Sequence, residues 1–126
     1  MSIQIKFRIL IVDDAKENLV ALNALLARDD IEIFKAKTGT EALDMLMDNK
    51  FNLALLDIQM PGMDGFELAR YMRGTNLTKN IPIIFVSGEA RDERIFFEGH
   101  ALAPVDFIRK PLDPQILQIK VATFLK

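Results

Sequence analysis

The sequence contains no cysteine, so a disulfide framework and thiol catalysis are both excluded. No apolar run approaches the ~20 residues that a membrane-spanning helix requires. Residues 1–8 contain neither an extended apolar segment nor a cleavage site of the kind that a secretory signal carries. We therefore expect a soluble domain that is not inserted in a membrane and that is located in the cytoplasm.

Positive charge is not in excess either, since 16 lysine and arginine residues stand against 18 aspartate and glutamate residues. The formal net charge of -2 provides no basic face of the kind that binds nucleic acid, so we expect no direct nucleic-acid binding. The single histidine, His100, has no metal-ligating partner in the sequence and is interpreted as a surface or helix-end residue.

The chain of 126 residues fits a single domain over residues 1–126, and half of its residues are apolar, which is enough for one core. The central segment is 51–65, where the apolar run Leu53–Leu56 predicts a strand buried on both faces. Asp57 ends that strand. Asp64 is then the predicted N-cap of a helix, so Asp57 is expected at the mouth of a strand-to-helix loop.

Similar units occupy the rest of the chain. Apolar and β-branched runs predict strands over 7–12, 31–35, 53–56, 81–86 and 105–109. Helical spacing and cap residues predict helices over 15–27, from Thr38 to about 49, after Asp64, over about 92–100, and after Asp113. Five strands that alternate with five helices predict an α/β fold with a doubly wound parallel sheet, for which the flavodoxin-like order 2-1-3-4-5 is favoured.

Polar residues stand where these strands end. Because the carboxyl ends of parallel strands share one edge of the sheet, residues far apart in the sequence are expected to meet there. Each residue alone has an ordinary structural explanation, such as a helix cap for Asp14 or a strand end for Ser87. Their combination favours a functional site, and its members are Asp13, Asp14, Asp57, Ser87 and Lys110.

Three clustered carboxylates repel one another unless a cation lies close to them. Mg²⁺ prefers oxygen ligands and commonly takes one or two carboxylates, so we expect Mg²⁺ here, with Mn²⁺ as a substitute. A metal, an exposed aspartate, a hydroxyl and a lysine together indicate phosphoryl transfer to Asp57, in which Lys110 neutralises the phosphoryl oxygens.

Four motifs in the sequence identify a family. They are Ile11-Val12-Asp13-Asp14, the segment from Asp57 to Gly65, Phe85-Val86-Ser87-Gly88, and Val105-Asp106-Phe107-Ile108-Arg109-Lys110-Pro111. With these motifs the chain closely resembles, over essentially its full length, the receiver domain of two-component response regulators. This family includes the receivers attached to hybrid histidine kinases.

The resemblance implies a role for each residue of the site. Asp57 is the phosphoacceptor for a phosphohistidine on a histidine kinase or a histidine phosphotransfer protein. Asp14, Asp57 and the backbone carbonyl of Gln59 bind Mg²⁺, and Asp13 reaches the metal through water. Ser87 hydrogen-bonds the phosphoryl group and Lys110 pairs with it.

The resemblance also implies an output. Phe107 is the aromatic switch that turns inward when Ser87 moves, and the surface of the fourth helix, fifth strand and fifth helix is presented to a downstream output domain or protein, or to a second copy of the chain. The Lys110-Pro111 peptide bond is expected to be cis. Gln59 and Glu89 occupy positions that tune dephosphorylation in this family. The chain departs from the family at Ala103-Pro104, where Gly-Ala is common.

Two other functions fit parts of the pattern. A Mg²⁺-dependent phosphohydrolase would use Asp57 as its nucleophile, but the second acid expected two residues later is Gln59 in this chain, and no cap insertion is present. A constitutive interaction module would never receive phosphate, and the intact set of Asp13, Asp14, Asp57 and Lys110 argues against it. A phosphorylatable signalling switch that turns over no external substrate is the leading hypothesis.

Overall fold

A parallel sheet of five strands lies at the centre of the computed structural model, which describes residues 4–88 and 100–125. The order of the strands is β2-β1-β3-β4-β5, as the sequence predicts, and all neighbouring strands are parallel. The strands are β1 (Phe7–Val12), β2 (Ile31–Ala36), β3 (Leu53–Asp57), β4 (Ile83–Ser87) and β5 (Val105–Arg109).

Helices cover both faces of this sheet. The described residues form α1 (Lys16–Leu26), α2 (Gly39–Asp48), α3 (Gly65–Arg73), the C-terminal helix α4 (Pro114–Phe124) and a short 3₁₀ helix (His100–Leu102). The helix predicted over about 92–100 falls outside the described residues except for its last residue, and α4 is therefore the fifth of the predicted helices. No helix in the described ranges has the length and apolar character needed to cross a membrane.

The predicted helix starts are confirmed by their caps. The Thr38 hydroxyl accepts a hydrogen bond from the Glu41 N–H, and the Asp64 carboxylate accepts one from the Glu67 N–H. Asp113 caps α4 by accepting from two backbone N–H groups of its first turn. Such bonds satisfy amide groups that have no partner inside the helix, which fixes where each helix begins.

The core has two halves because successive side chains of a strand point to opposite faces. On one face, Leu10 of β1 and Phe66 of α3 belong to a buried cluster with α2 and α3. On the other face, Ile9 of β1 and Leu117 of α4 belong to a cluster with α1 and α4. Every residue of β3 and β4 is buried, so the carboxyl ends of these strands are held firmly.

Strand β4 differs from its predicted boundaries. It begins at Ile83, so the prediction that it starts at Ile81 and contains Pro82 was wrong. The Ile81 N–H is used in a turn with the Thr78 carbonyl, and Pro82 has no amide hydrogen to donate to a neighbouring strand. The hydrogen bonds from β4 toward β5 begin at Ile83, whose N–H donates to the carbonyl of Pro104.

Two peptide bonds before proline are cis. The Lys110-Pro111 bond is cis, as the family resemblance predicted. The Ala103-Pro104 bond is also cis, which the sequence did not predict.

Candidate functional site

Three carboxylates meet at the carboxyl edge of the sheet. Val12 pairs with Leu56 in the register of β1 and β3, so Asp13 and Asp57, each one residue further on, lie side by side. One oxygen from each of Asp13, Asp14 and Asp57 lies within 4.8 Å of the others. Asp13 and Asp57 are 1% and 4% exposed, so the prediction of an exposed aspartate at position 57 was wrong, whereas Asp14 faces solvent. The predicted acidic cluster is therefore present, and it is open to solvent on the Asp14 side.

Lys110 provides positive charge to this cluster. Its Nζ lies 3.3 Å from Oδ2 of Asp13 and 3.7 Å from Oδ1 of Asp57. The Lys110 N–H donates to the Ser87 carbonyl at 2.8 Å, which fixes the start of the loop after β5. One ammonium beside three carboxylates leaves a net negative charge, so these oxygen atoms could hold a divalent cation.

Asp13 is held by more donors than the sequence indicated. Its Oδ1 accepts from the Ala15 N–H at 2.9 Å, and the amide of Asn18 donates to Oδ1 at 3.2 Å and to Oδ2 at 3.1 Å. Asn18 was not predicted as a site residue from the sequence. A signal for Asn18 was present in the sequence. It lies on α1 four residues before the buried Leu22, and a position on this face of a helix is usually apolar.

The surroundings of Asp57 disfavour its ionised form. Burial, and after it the negative charge of Asp13, together raise the pKa of its carboxyl group to about 6. The Lys110 ammonium and the Gln59 N–H, which donates to Oδ1 at 3.3 Å, act in the opposite direction. At neutral pH Asp57 is ionised, and its charged form is less stable than that of a solvent-exposed aspartate.

The loop after Asp57 approaches its own strand closely at Gly65. The Gly65 N–H donates to the Ile58 carbonyl at 3.1 Å. A Cβ atom at position 65 would lie 2.5 Å from the Asp57 carbonyl oxygen, closer than real Cβ contacts allow. Only glycine fits this position without moving the backbone of the central aspartate.

Ser87, Gln59 and Lys110 are also brought to this edge of the sheet. Ser87 is 3% exposed and follows Val86, the register partner of Asp57. A Cβ atom placed on Gly88 would lie 3.9 Å from Oε1 of Gln59 and 4.0 Å from Cδ of Lys110, so these two side chains flank Gly88. Glu89, the second residue predicted to tune dephosphorylation, lies outside the described residues.

Phe107 lies apart from the carboxylates, in the sheet. It is half-buried on β5 and stacks on Phe85 of β4, with ring centroids 5.4 Å apart and an interplanar angle of 23°. The Phe85 ring in turn contacts Phe66 of α3 at 4.8 Å. A row of three aromatic rings thus connects β5 with the first turn of α3, which follows the Asp57 loop.

A cleft of about 340 Å³ opens beside the carboxylates, between α1 and the loop that follows β5. Its polar end contains Asp13, Asn18 and Lys110, and its apolar walls include Leu22 and Leu112. The site is therefore accessible to a partner molecule from the α1 side.

Curated sequences with clear similarity cover nearly all of this chain. The response regulator PleD of Caulobacter vibrioides is 34% identical over 120 residues, and a probable cyclic di-GMP phosphodiesterase of Vibrio cholerae is 37% identical over 120 residues. Each match covers 94% of this chain and 26% of the relative. The chain thus spans about a quarter of the length of these relatives.

Solved structures agree with the sequence matches. A CheY-like response regulator receiver domain protein of Methanospirillum hungatei is 35% identical with a TM-score of 0.83, and the match covers 98% of this chain and 94% of that one. The chemotaxis protein CheY4 of Vibrio cholerae is 28% identical with a TM-score of 0.86, over 94% of this chain and 98% of that one. The family model of the response regulator receiver domain matches residues 9–122. The chain belongs to the response regulator receiver domain family of two-component systems.

Proposed function

We propose that the chain is a phosphorylation-dependent signalling switch whose phosphoacceptor is Asp57. The observation that carries this proposal is the contact of one ammonium, Lys110 Nζ, with both Asp13 and Asp57 in a cluster of three carboxylates. This arrangement places a cation where the oxygens of a phosphoryl group on Asp57 would need neutralisation.

The proposed donor is a phosphohistidine on a histidine kinase or a histidine phosphotransfer protein. An oxygen of the ionised Asp57 carboxylate forms a new O–P bond while the N–P bond of the phosphohistidine breaks. The electron pair of the N–P bond returns to the imidazole, which leaves as a neutral ring when its other nitrogen carries a proton. Total charge and atoms are conserved, and no further reactant is needed.

The donor set of the site fits Mg²⁺, because it consists of carboxylate oxygens that are close together and open to solvent on one side. Asp14, Asp57 and the Gln59 carbonyl would hold the ion, and Asp13 would reach it through water. This division is supported by Asp13, whose oxygens are already engaged by Ala15, Asn18 and Lys110. When bound, Mg²⁺ supplies positive charge that offsets the charge of the transferred group.

The proposed readout passes through Ser87 and Phe107. Ser87 ends β4 next to the site, and a phosphoryl group on Asp57 would compete for its hydroxyl as a hydrogen-bond donor. Phe107 stacks on Phe85, two residues before Ser87, so a shift at the end of β4 reaches a half-buried ring on β5. We propose that the surface of β5, α4 and the segment before β5 presents this change to an output domain, a partner protein or a second copy.

A test of the proposal uses Mg²⁺ and acetyl phosphate, followed by intact-mass measurement. The expected result is a gain of one phosphoryl group per chain that requires Mg²⁺ and is absent in Asp57→Asn. The control variant Asp44→Asn, which changes an exposed aspartate on α2, should gain the group as the wild-type chain does.

Other outcomes would overturn the proposal. Continuous release of phosphate over many turnovers would indicate a phosphohydrolase. Absence of any adduct in the wild-type chain would indicate an interaction module that works without phosphate. An adduct that persists in Asp57→Asn would place the phosphoacceptor elsewhere.

A further inference from the structure

We propose that Asn18 is a positioning residue that orients the Asp13 carboxylate and thereby keeps Lys110 shared between Asp13 and Asp57. This inference rests on the proposed function of Asp57 as the phosphoacceptor. It concerns a residue that the four family motifs of the sequence do not contain.

The contacts of Asn18 are specific to one carboxylate. Its amide nitrogen lies 3.2 Å from Oδ1 and 3.1 Å from Oδ2 of Asp13, so it faces the carboxylate across both oxygens. Oδ1 accepts a further bond from the Ala15 N–H, and Oδ2 one from Lys110 Nζ at 3.3 Å. Asp13 is therefore held from three directions, and Asn18 is the only neutral side chain among these donors.

Asn18 is neutral, and this matters because the positive charge of Lys110 is shared between Asp13 and Asp57. A lysine or arginine at position 18 would add positive charge and would compete with a metal ion for the carboxylates. An apolar residue would leave Lys110 as the main side-chain donor to Asp13. The distances from Lys110 Nζ, 3.3 Å to Asp13 and 3.7 Å to Asp57, show that the ammonium already lies closer to Asp13.

Loss of the Asn18 amide should therefore draw Lys110 further toward Asp13 and away from Asp57. Because a buried acceptor that loses its donor is costly, Asp13 would compensate with the Lys110 ammonium, which already contacts Oδ2. The ammonium would then be less available to the phosphoryl group on Asp57. Asn18 thus acts on the reaction through Asp13 and Lys110, without contact with the transferred group.

The geometry of α1 supports a local role for Asn18. Its side chain is half-buried at the polar end of the cleft between α1 and the loop after β5. Asn23 lies on the same helix and is also half-buried, but its side chain forms no hydrogen bond with residues of the described ranges. The pair offers a matched comparison of two asparagines on one helix.

The experiment compares Asn18→Leu and Asn18→Ala with Asn23→Leu. We expect the rate of Asp57 phosphorylation at saturating Mg²⁺ and acetyl phosphate to fall about tenfold in both Asn18 variants, as is typical when a partner of a metal-site ligand is removed. The Asn23→Leu rate should stay within about twofold of wild type. Equal rates in the Asn18 and Asn23 variants would overturn the inference while leaving the phosphoacceptor role of Asp57 intact.

A second comparison separates positioning from a general loss of structure. In a Lys110→Met background, Asn18→Leu should slow phosphorylation by less than about twofold, because the group through which Asn18 acts is gone. Fully additive effects would show that Asn18 acts independently of Lys110, which contradicts the inference.

A crystal structure of Asn18→Leu tests the same inference without any phosphorylation. The separation between Lys110 Nζ and Asp57 Oδ1 should exceed the ~4 Å limit of an ion pair, with Nζ closer to Asp13 than in the wild-type chain. An unchanged ammonium position would overturn the inference. If the wild-type chain accepts no phosphoryl group, the proposed function fails, and this structural comparison still decides the role of Asn18.

Discussion

The ammonium of Lys110 lies 3.7 Å from Oδ1 of Asp57, although β4 lies between β3, which ends at Asp57, and β5, which Lys110 follows. Lys110 spans this distance because its long side chain starts from a backbone fixed by the bond from its N–H to the Ser87 carbonyl. The relationship depends on the end of β4 as well as on the two charged residues. Displacement of Ser87 would therefore also move the backbone from which the Lys110 side chain starts.

Replacement of Lys110 by methionine should slow phosphorylation of Asp57 by acetyl phosphate at least tenfold, because a preorganised cation beside the developing charge is lost. The rate is measured by intact mass against time at saturating Mg²⁺. Lys120→Met removes a partly exposed lysine paired with Asp106 and should change the rate by less than about twofold. Similar rates in both variants would argue against a role for Lys110 at the phosphoryl group.

Gly65→Ala should disturb the site through the backbone. The added Cβ would lie 2.5 Å from the Asp57 carbonyl oxygen and 3.0 Å from Cα of Ile58, so the loop must shift. We expect a loss of about 1–3 kcal/mol in the free energy of unfolding and phosphorylation at least tenfold slower.

The matched control for Gly65→Ala is Gly74→Ala. Gly74 has a φ of -85°, and the nearest atoms to its added Cβ lie at 3.5 Å, an ordinary contact. In urea unfolding, the free energy of unfolding of the Gly74→Ala variant should stay within about 1 kcal/mol of the wild-type value. Two glycine variants of equal stability and rate would show that the close approach at Gly65 is tolerated.

The sequence was sufficient to predict the sheet and most of the site. Parallel pairing follows from the alternation of strands and helices, and the favoured order 2-1-3-4-5 is confirmed. Parallel strands necessarily bring Asp13, Asp57 and Lys110 to one edge. The predicted proximity of these residues required no knowledge of side-chain conformation. Their roles in metal binding and phosphoryl transfer stay predictions.

Details that depend on individual side chains were not predictable. Asn18 was missed because an asparagine near a helix start is usually a solvated residue, and its contact with Asp13 depends on how both side chains are oriented. The start of β4 was placed too early because the use of the Ile81 N–H in a turn leaves no mark in the apolar pattern. The structural role of Arg73 was also not predicted. Its partners are backbone carbonyls from separate parts of the chain, and no sequence pattern marks such contacts.

Arg73 joins α3 to the loop before β5. Its guanidinium donates to the carbonyls of Leu102 at 2.8 Å, Ile81 at 2.8 Å and Pro104 at 3.0 Å. Arg73→Met should lower the free energy of unfolding by about 2–4 kcal/mol, because several backbone acceptors lose their donor at once. Urea unfolding followed by circular dichroism measures this loss.

Arg8→Met is the control for Arg73→Met. Arg8 forms one ion pair with Glu32, in which both side chains are nearly half exposed, and such surface pairs contribute at most about 1 kcal/mol. If the free energy of unfolding falls no more in Arg73→Met than in Arg8→Met, water replaces the guanidinium at all three carbonyls.

Asp57 should make the chain less stable as pH rises. Its pKa is about 6 in the folded chain, against an ordinary value of 3.8 that applies when the chain is unfolded. Between these values the folded state binds more protons than the unfolded state, so the free energy of unfolding falls as pH rises through this window. The stabilisation from protonated Asp57 is complete below pH 3.8 and is lost above about pH 6.

Asp57→Asn should therefore be more stable than the wild-type chain at pH 7.5 in the presence of a chelator. The gain should be about 1–2 kcal/mol, since solvent on the Asp14 side reduces the cost of burying the charge and screens part of the repulsion. It should shrink toward zero near pH 4, where wild-type Asp57 is protonated. Mg²⁺ should stabilise the wild-type chain more than the variant, because binding to the folded state alone raises stability and the variant lacks one ligand.

Urea titrations at pH 4, 5.5 and 7.5, with chelator or with Mg²⁺, measure all of these differences, and Asp44→Asn provides an exposed aspartate for comparison. A variant that is less stable than wild type at pH 7.5 without Mg²⁺ would contradict the assignment, because it would mean that ionised Asp57 stabilises the fold. A gain that does not vary with pH would point to packing. The predicted combination, a gain that grows with pH and disappears with Mg²⁺, is expected only if the cost of the ionised Asp57 carboxylate, buried and beside Asp13, is the cause.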